Sequence, residues 1–269
     1  MNGPVDTRAG QREAGQEAGQ EAGQEAGQDA GQDAGQDAGQ EADRRELPAP
    51  PVRRPARRPA NRREVPGREE IEALEPFPGI HPSRIVLAAT PQAVARAHAD
   101  LAGQSHVGFD TESRPTFARG EVSEGPHVVQ FATLGRAYIF QLHLPEACEA
   151  VSSLLMSPGL VKVGFGLDGD RTQIRSRLGI EPQAVLDLDW VFRDLGYRKS
   201  VGLKVAVALV FGRRFAKSKR IGTSNWSHRS LSDGQLLYAA NDAYAALRVY
   251  AAIPRTPLSQ APAAPLGRG

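Results

Sequence analysis

Sulfur chemistry is nearly absent from this 269-residue chain, which has one cysteine, Cys148. A lone thiol closes no internal disulfide, so a disulfide-stapled secreted scaffold is excluded. Long apolar runs are missing too, and none approaches the ~18–20 residues a membrane helix needs. The first residues lack a basic-then-apolar signal pattern, and their acidity argues against a transit peptide. A reducing, cytoplasmic setting with no membrane partner is the expectation. Histidine is sparse: His81, His98, His106, His127, His143 and His228 form no pair at a helical metal-ligand spacing, which argues against zinc. No Gly-x-x-x-x-Gly-Lys-Ser/Thr loop is present, so no helicase motor is expected within this chain. Nor does one sign of charge dominate, since 33 basic against 31 acidic residues leave a net +2.

That near-neutral average hides opposed segments. Residues 1–46 hold 11 acids against 4 bases, whereas residues 47–70 hold 7 bases against 3 acids. The remainder is mildly basic, which suits a polyanionic partner. From Gly10 to Ala42 a four-residue unit repeats, Gly-Gln-Glu-Ala and then Gly-Gln-Asp-Ala. On a helix this period would line Glu13, Glu17, Glu21 and Glu25 along one face, where like charges repel. Each glycine would cost about 1 kcal/mol relative to alanine. No larger apolar residue offers compensating burial, so a disordered acidic tract is expected. Between Pro48 and Pro66 the pairs Arg53-Arg54, Arg57-Arg58 and Arg62-Arg63 alternate with prolines, the pattern of an extended, polyproline-like linker. The chain therefore divides into a disordered arm over 1–66, a globular domain over 67–253 and a frayed Pro/Ala-rich tail over 254–269.

Within 67–253, strand and helix signals alternate. Thr90-Pro91 offers an N-cap and a proline at the first helical position for a helix to Leu101. His106–Glu112 reads as a buried strand with a polar end. His127–Leu134 and Ala137–Leu142 flank Gly135-Arg136 as a hairpin. A helix over Cys148–Met156, a strand over Val161–Phe165 and a helix over Asp170–Leu178, closed by Gly179 at C′, follow. Leu186–Val191 suits a strand or a short helix, and Leu203–Phe211 is equally open. Ser232 and Gln235 form a capping box for a last helix to Tyr250. The pattern implies an α/β domain around a mixed sheet.

Carboxylates stand where the core should be ending. In Val107-Gly108-Phe109-Asp110-Thr111-Glu112, the alternation of a strand puts Asp110 and Glu112 on one face, about 6.5–7 Å apart. Two such charges repel unless a cation lies between them, and a divalent, oxygen-preferring metal is the economical choice. A second acid group follows the next strand, in Gly164-Phe165-Gly166-Leu167-Asp168-Gly169-Asp170. A third lies in Tyr238-Ala239-Ala240-Asn241-Asp242-Ala243-Tyr244, where Tyr238 and Asp242 share a helix face.

An acid pair at a strand end, an acid after a second strand and Tyr-x-x-x-Asp on a late helix resemble the DEDDy family of 3′–5′ exonucleases. The likeness is closest to the Werner-type exonuclease domain and more distant to RNase D. It runs from Leu87 to Ile253 and includes Ser224-Asn225-Trp226-Ser227, similar to that family's segment before its last helix. The resemblance implies a ribonuclease H-like fold, 3′–5′ exonuclease activity on DNA or RNA with a free 3′ end, and two divalent cations, Mg²⁺ or Mn²⁺. Residue by residue, it makes Asp110 the bridge between both ions, with Glu112 and Asp242 completing the first site. Asp170 would hold the second, with Asp168 the competing candidate, and Tyr238 would orient the attacking water.

Arg213, Arg214, Lys217, Lys219 and Arg220 form a basic run whose obvious partner is phosphate. Trp226 is expected to pack inside rather than stack on a base, and Phe109 and Leu167 border the acids as potential wedges against a terminal base. The competing reading is a catalytically inactive nucleic-acid-binding or interaction module working through the charged N-terminal arm.

Overall fold

The computed structural model describes residues 63–116 and 120–253. The acidic repeat, most of the Arg/Pro linker and the tail 254–269 lie outside the described residues. At the start of the described residues, the Arg63 guanidinium lies 5.8 Å from the ring centre of Tyr197.

The elements run in chain order as α1 (Arg68–Glu72), a 3₁₀ turn (Pro82–Arg84), β1 (Ile85–Leu87), α2 (Pro91–Ala102), β2 (His106–Glu112), β3 (Val128–Ala132), β4 (Ala137–Gln141), α3 (Pro145–Met156), β5 (Val161–Gly164), α4 (Asp168–Leu178), β6 (Val185–Asp187), α5 (Leu188–Asp194), α6 (Leu203–Phe211), α7 (Lys219–Gly222) and α8 (Asp233–Ala252). Six strands form one sheet in the order β1-β4-β3-β2-β5-β6. The pairs β2–β3 and β3–β4 are antiparallel, and β1–β4, β2–β5 and β5–β6 are parallel.

Period-two alternation sorts the strand residues between two cores. Val107, Phe109, Val129, Phe131 and Phe140 pack with α2, α3 and Ile174 of α4 on one face. Val128, Ala132, Ala137 and Ile139 pack on the other against Ala239, Ala240 and Ala243 of α8, while Val163 meets α6 and the second half of α8. Alanines let α8 lie close to the sheet, and Gly108 of β2 lets it lie closer still. A Cβ built there would fall 1.8 Å from the carbonyl oxygen of Ala243. This approach brings one turn of α8 against the polar end of β2.

Local signals act as expected at several ends. Thr90 Oγ1 accepts from Ala93 N, Ser232 and Gln235 complete the capping box, and Gly179 takes a left-handed φ of 67° at the end of α4. Elsewhere the structure differs. Leu186–Val191 is neither one strand nor one helix: β6 ends at Asp187, whose carboxylate accepts from Asp189 N and so starts α5. Leu203–Phe211 is a helix because Ala206 and Val207 are buried beside Ala245 and Val249 of α8, packing that outweighs the β preference of its valines. The helix expected from Cys148 begins at Pro145, and the one expected from Asp170 begins at Asp168. Lys162, unremarked in the sequence, is fully buried, and its ammonium donates to Leu154 O and Ser157 O at 3.3 and 2.8 Å at the end of α3. Leu154 O also accepts from Ser157 N at 3.4 Å, so the lysine adds charge and a second donor at the C-terminal end of α3 from the sheet.

Candidate active site

The polar end of β2, the start of α4 and the middle of α8 meet at one end of the sheet. Asp110 and Glu112 project from β2 toward α8, and Asp242 projects back from α8. One carboxylate oxygen from each of the three lies within 4.8 Å of the others. Gly108, two residues before Asp110 and on the same face, is what admits α8 to this distance. Asp170 joins from the side, accepting a hydrogen bond from the Thr111 hydroxyl. Asp168 is exposed, so of the two candidates in that turn only Asp170 is tied to the acid group. The turn is anchored by Asp187 of β6, whose carboxylate accepts from Leu167 N at 2.8 Å.

Tyr238 stands one helical turn before Asp242, and its hydroxyl is walled by Gly222 of α7. A Cβ at Gly222 would lie 2.5 Å from that hydroxyl. Gly222 is held in turn by Trp226, whose indole N–H donates to its carbonyl at 3.2 Å, and whose ring lies 5.9 Å from that of Tyr238. Gln235 ties the segment to α8, donating to Ser224 Oγ at 3.0 Å and to Asn225 O at 3.3 Å. The Ser224-Asn225-Trp226 stretch therefore positions the tyrosine. Trp226 is buried, as expected. Phe109 and Leu167 are also buried, 1 % exposed each, within the core on the α3 face. Buried in this core, neither offers an exposed edge for a terminal base, contrary to the wedge expectation.

The basic run does not form one surface. Arg213, Lys219 and Arg220 are exposed, whereas Arg214 lies within 3.8 Å of Glu72, and its backbone N–H donates to Glu75 O. Lys217 turns inward, its Nζ 2.6 Å from Asp242 Oδ2 and 5.1 Å from the Tyr238 ring centre. Three contributors were not singled out from sequence: Gly108, Thr111 and Gly222. A glycine inside a strand, where it weakens the ladder unless a backbone comes close, was the available signal for the first.

Burial dominates the electrostatics. It raises the Asp110 carboxyl well above its ordinary range, with Asp242 and Asp170 pushing the same way. Burial and then Asp242 raise Glu112 to about 8. Burial raises Asp242 and Asp170 too, against Lys217 at the former and the Thr111 hydrogen bond at the latter. Burial alone would lower the Lys217 ammonium, but Asp242 and Asp110 outweigh it, so the lysine stays charged. Burial and Asp242 raise the Tyr238 phenol, which stays protonated.

These residues fit a hard divalent cation. The donors are all carboxylate oxygens, the type that Mg²⁺ and Mn²⁺ prefer. Asp242 is 2 % exposed; Lys217 stands against its Oδ2, whereas its Oδ1 has no hydrogen-bond donor among the described residues, and coordination would complete that oxygen. A pH dependence follows. Between the ordinary carboxylate range and about 8, folded Glu112 keeps a proton that the unfolded chain has lost. Metal-free stability therefore falls as pH rises through that window. Thermal melts from pH 5 to 8 should show this fall, and Mn²⁺ should raise the melting temperature more at pH 8 than at pH 5, because ligands bind it deprotonated.

Known proteins are similar to this chain in sequence and in fold. A family model described as 3′–5′ exonuclease matches residues 85–256. A 3′–5′ exonuclease from Arabidopsis thaliana is 33% identical over 156 residues, covering 56% of this chain and 53% of the relative. The bifunctional 3′–5′ exonuclease/ATP-dependent helicase WRN of Mus musculus is 30% identical over 146 residues, 54% of this chain and 10% of that one. The chain thus spans about half the length of the first relative and a tenth of the second. Among solved structures, the EXO domain of Aedes aegypti Nibbler superposes with a TM-score of 0.57 at 24% identity, covering 66% of this chain and 91% of that one. Trypanosoma brucei RNase D in complex with RNA gives a TM-score of 0.57 at 19% identity, covering 70% and 65%. These neighbours share the ribonuclease H-like layout of a mixed sheet flanked by helices, as expected from the sequence. With the family match spanning nearly all of the described sheet and helices, from β1 to the end of α8, this chain belongs to the 3′–5′ exonuclease domain family, whose named members are nuclease hydrolases.

Proposed function

We propose that this chain is a metal-dependent 3′–5′ exonuclease that removes nucleoside 5′-monophosphates from the 3′ end of DNA or RNA. The observation that carries the reading is the convergence of Asp110, Glu112 and Asp242 within 4.8 Å at the sheet end. Asp110 would be shared between two cations, Mg²⁺ or Mn²⁺, with Glu112 and Asp242 completing one site and Asp170 the other. Bound there, the cations would lower the pKa of the attacking water and stabilise charge on the leaving 3′ oxygen.

The protein's own part is placement. Water oxygen adds to phosphorus and gives its proton up to solvent, the bond from phosphorus to the 3′ oxygen breaks, and that oxygen takes up a proton from solvent. The products are a strand shortened by one residue with a new 3′ hydroxyl, and a nucleoside 5′-monophosphate. Tyr238, kept protonated and fixed by Gly222 and Trp226, donates its hydroxyl hydrogen to orient the water and does not act as its base. Exposed Arg213, Lys219 and Arg220 contact backbone phosphates of the incoming strand, an affinity independent of base sequence. With all four acids and the tyrosine present, the alternative of an inactive binding module finds no support in the site.

The test is a time course on 5′-labelled single-stranded DNA and RNA of one sequence, with Mg²⁺, Mn²⁺ or EDTA. A ladder shortening from the 3′ end with metal and absent with EDTA is expected, and the faster polymer reveals the sugar preference. Binding of both polymers without any ladder would return the weight to the binding module.

A further inference from the structure

Lys217 differs from every other cation of its run. Its Nζ reaches Asp242 Oδ2 at 2.6 Å, and its charge is felt at Asp110, Glu112 and Asp170 as well. The loop that carries it is fixed on both sides. Before it, Arg214 N donates to Glu75 O at 2.8 Å and Phe215 is buried; after it, the Ser218 hydroxyl accepts from Ile221 N and caps α7. The lysine is thus delivered into the acid group by anchored backbone.

Asp242 is the acid that α8 contributes, and it is almost wholly buried, so its carboxylate is reached from only a narrow set of directions. An ammonium at 2.6 Å already lies against Oδ2. A divalent ion on the same carboxylate would face a like charge a few ångströms away at low dielectric, where repulsion is strong. A cavity of about 110 Å³ opens beside the pair, lined by Phe215, Ala216, Ser218, Tyr238 and Asp242 among others, and offers room for the lysine's flexible stem to turn aside.

The geometry points to Lys217 as an internal competitor of the divalent cation: its ammonium is the counter-ion of Asp242 in the metal-free protein, and metal entry displaces it. This rests on the proposed reading of Asp110, Glu112 and Asp242 as a metal site. The ion pair stabilises the metal-free form, and by linkage whatever stabilises that form alone weakens the observed metal affinity. Removing the ammonium should therefore destabilise the empty protein and tighten metal binding. An ordinary structural lysine would do the first without the second.

The experiment titrates Mn²⁺ alone into the metal-free full chain, with free Mn²⁺ read by electron paramagnetic resonance. Lys217→Met should bind Mn²⁺ at least ~10-fold tighter than the unaltered protein, a gain of ~1.4 kcal/mol. Lys217→Arg, which keeps the cation, should stay within about 3-fold, well under that 1.4 kcal/mol step. Lys199→Met, which removes an exposed lysine outside the acid group, should leave the affinity unchanged. Equal or weaker binding by Lys217→Met overturns the inference. If Lys217→Met is unfolded without metal, circular dichroism should show Mn²⁺ refolding it, and failure to refold overturns the inference as well. Should neither the unaltered protein nor Lys217→Met bind Mn²⁺, the metal-site reading itself fails, a result distinct from both binding it equally.

Discussion

Replacing Asp110 by asparagine should reduce single-turnover hydrolysis by at least ~10³-fold, or ~4 kcal/mol of barrier. Asparagine keeps the volume and the hydrogen-bonding reach of the side chain, so packing between β2 and α8 is retained. What it loses is the negative charge of the acid proposed to be shared by both cations, and a metal that stabilises transition-state charge supplies several kcal/mol. The same substitution should not weaken the fold. Asp110 is buried among Asp242, Asp170 and Glu112, all of which disfavour its charged form. A neutral isostere removes that conflict, so the metal-free variant should melt at or above the temperature of the unaltered protein at pH 8. Activity lost together with melting temperature would mean that the aspartate acts mainly in the fold. Near-normal turnover would remove Asp110 from the chemistry.

Gly108→Ala should damage both the fold and the site. Its Cβ would lie 1.8 Å from Ala243 O, 2.7 Å from Ala243 C and 3.2 Å from Leu247 Cβ. The first two atoms are backbone, so no rotamer relieves the clash, and α8 must retreat from β2 by about 1.5 Å in an interior packed as densely as a crystal. Overpacking of this kind costs ~3 kcal/mol or more. Asp242 is carried by the same turn of α8 and would leave Asp110 and Glu112 behind. A displacement of ~1 Å can cost ~10²-fold in rate even where the chain still folds. Gly159→Ala is the matched control, since nothing lies within 4 Å of a Cβ there. Thermal denaturation of the two variants side by side should show a large loss for the first and almost none for the second. Equal melting temperatures would mean that β2 and α8 are not held together as described.

Gly108 also marks the boundary of what the sequence could show. Ser232 with Gln235, Thr90 with Pro91 and Gly179 announce helix ends because capping is settled within a few residues. Asp110, Glu112 and Tyr238-x-x-x-Asp242 are legible for a similar reason: strand and helix periods place each set on one face. Their meeting is another matter, since it depends on an α8–β2 approach whose traces in sequence are a glycine inside a strand and the alanines of α8. Leu203–Phe211 was ambiguous because its valines favour a strand, and only the burial of Ala206 and Val207 against α8 selects the helix. Lys217 shows the limit most clearly. As one cation among five it reads as a phosphate contact. The folding back of its loop, through Arg214 on Glu75 and Phe215 in the core, turns it toward Asp242 instead. Phe109 and Leu167 err the other way: next to the acids in sequence, they point into the opposite core.

In the proposed reaction, water placed by this cluster displaces the 3′ oxygen of the terminal linkage. The most direct measurement is digestion of a 3′-hydroxyl oligonucleotide in ¹⁸O-enriched water with Mn²⁺, with mass spectrometry of the small products from the first turnovers. Nucleoside 5′-monophosphates carrying a single heavy oxygen in the phosphate are expected. Nucleoside 3′-phosphates, cyclic phosphates or internally cut fragments would contradict it.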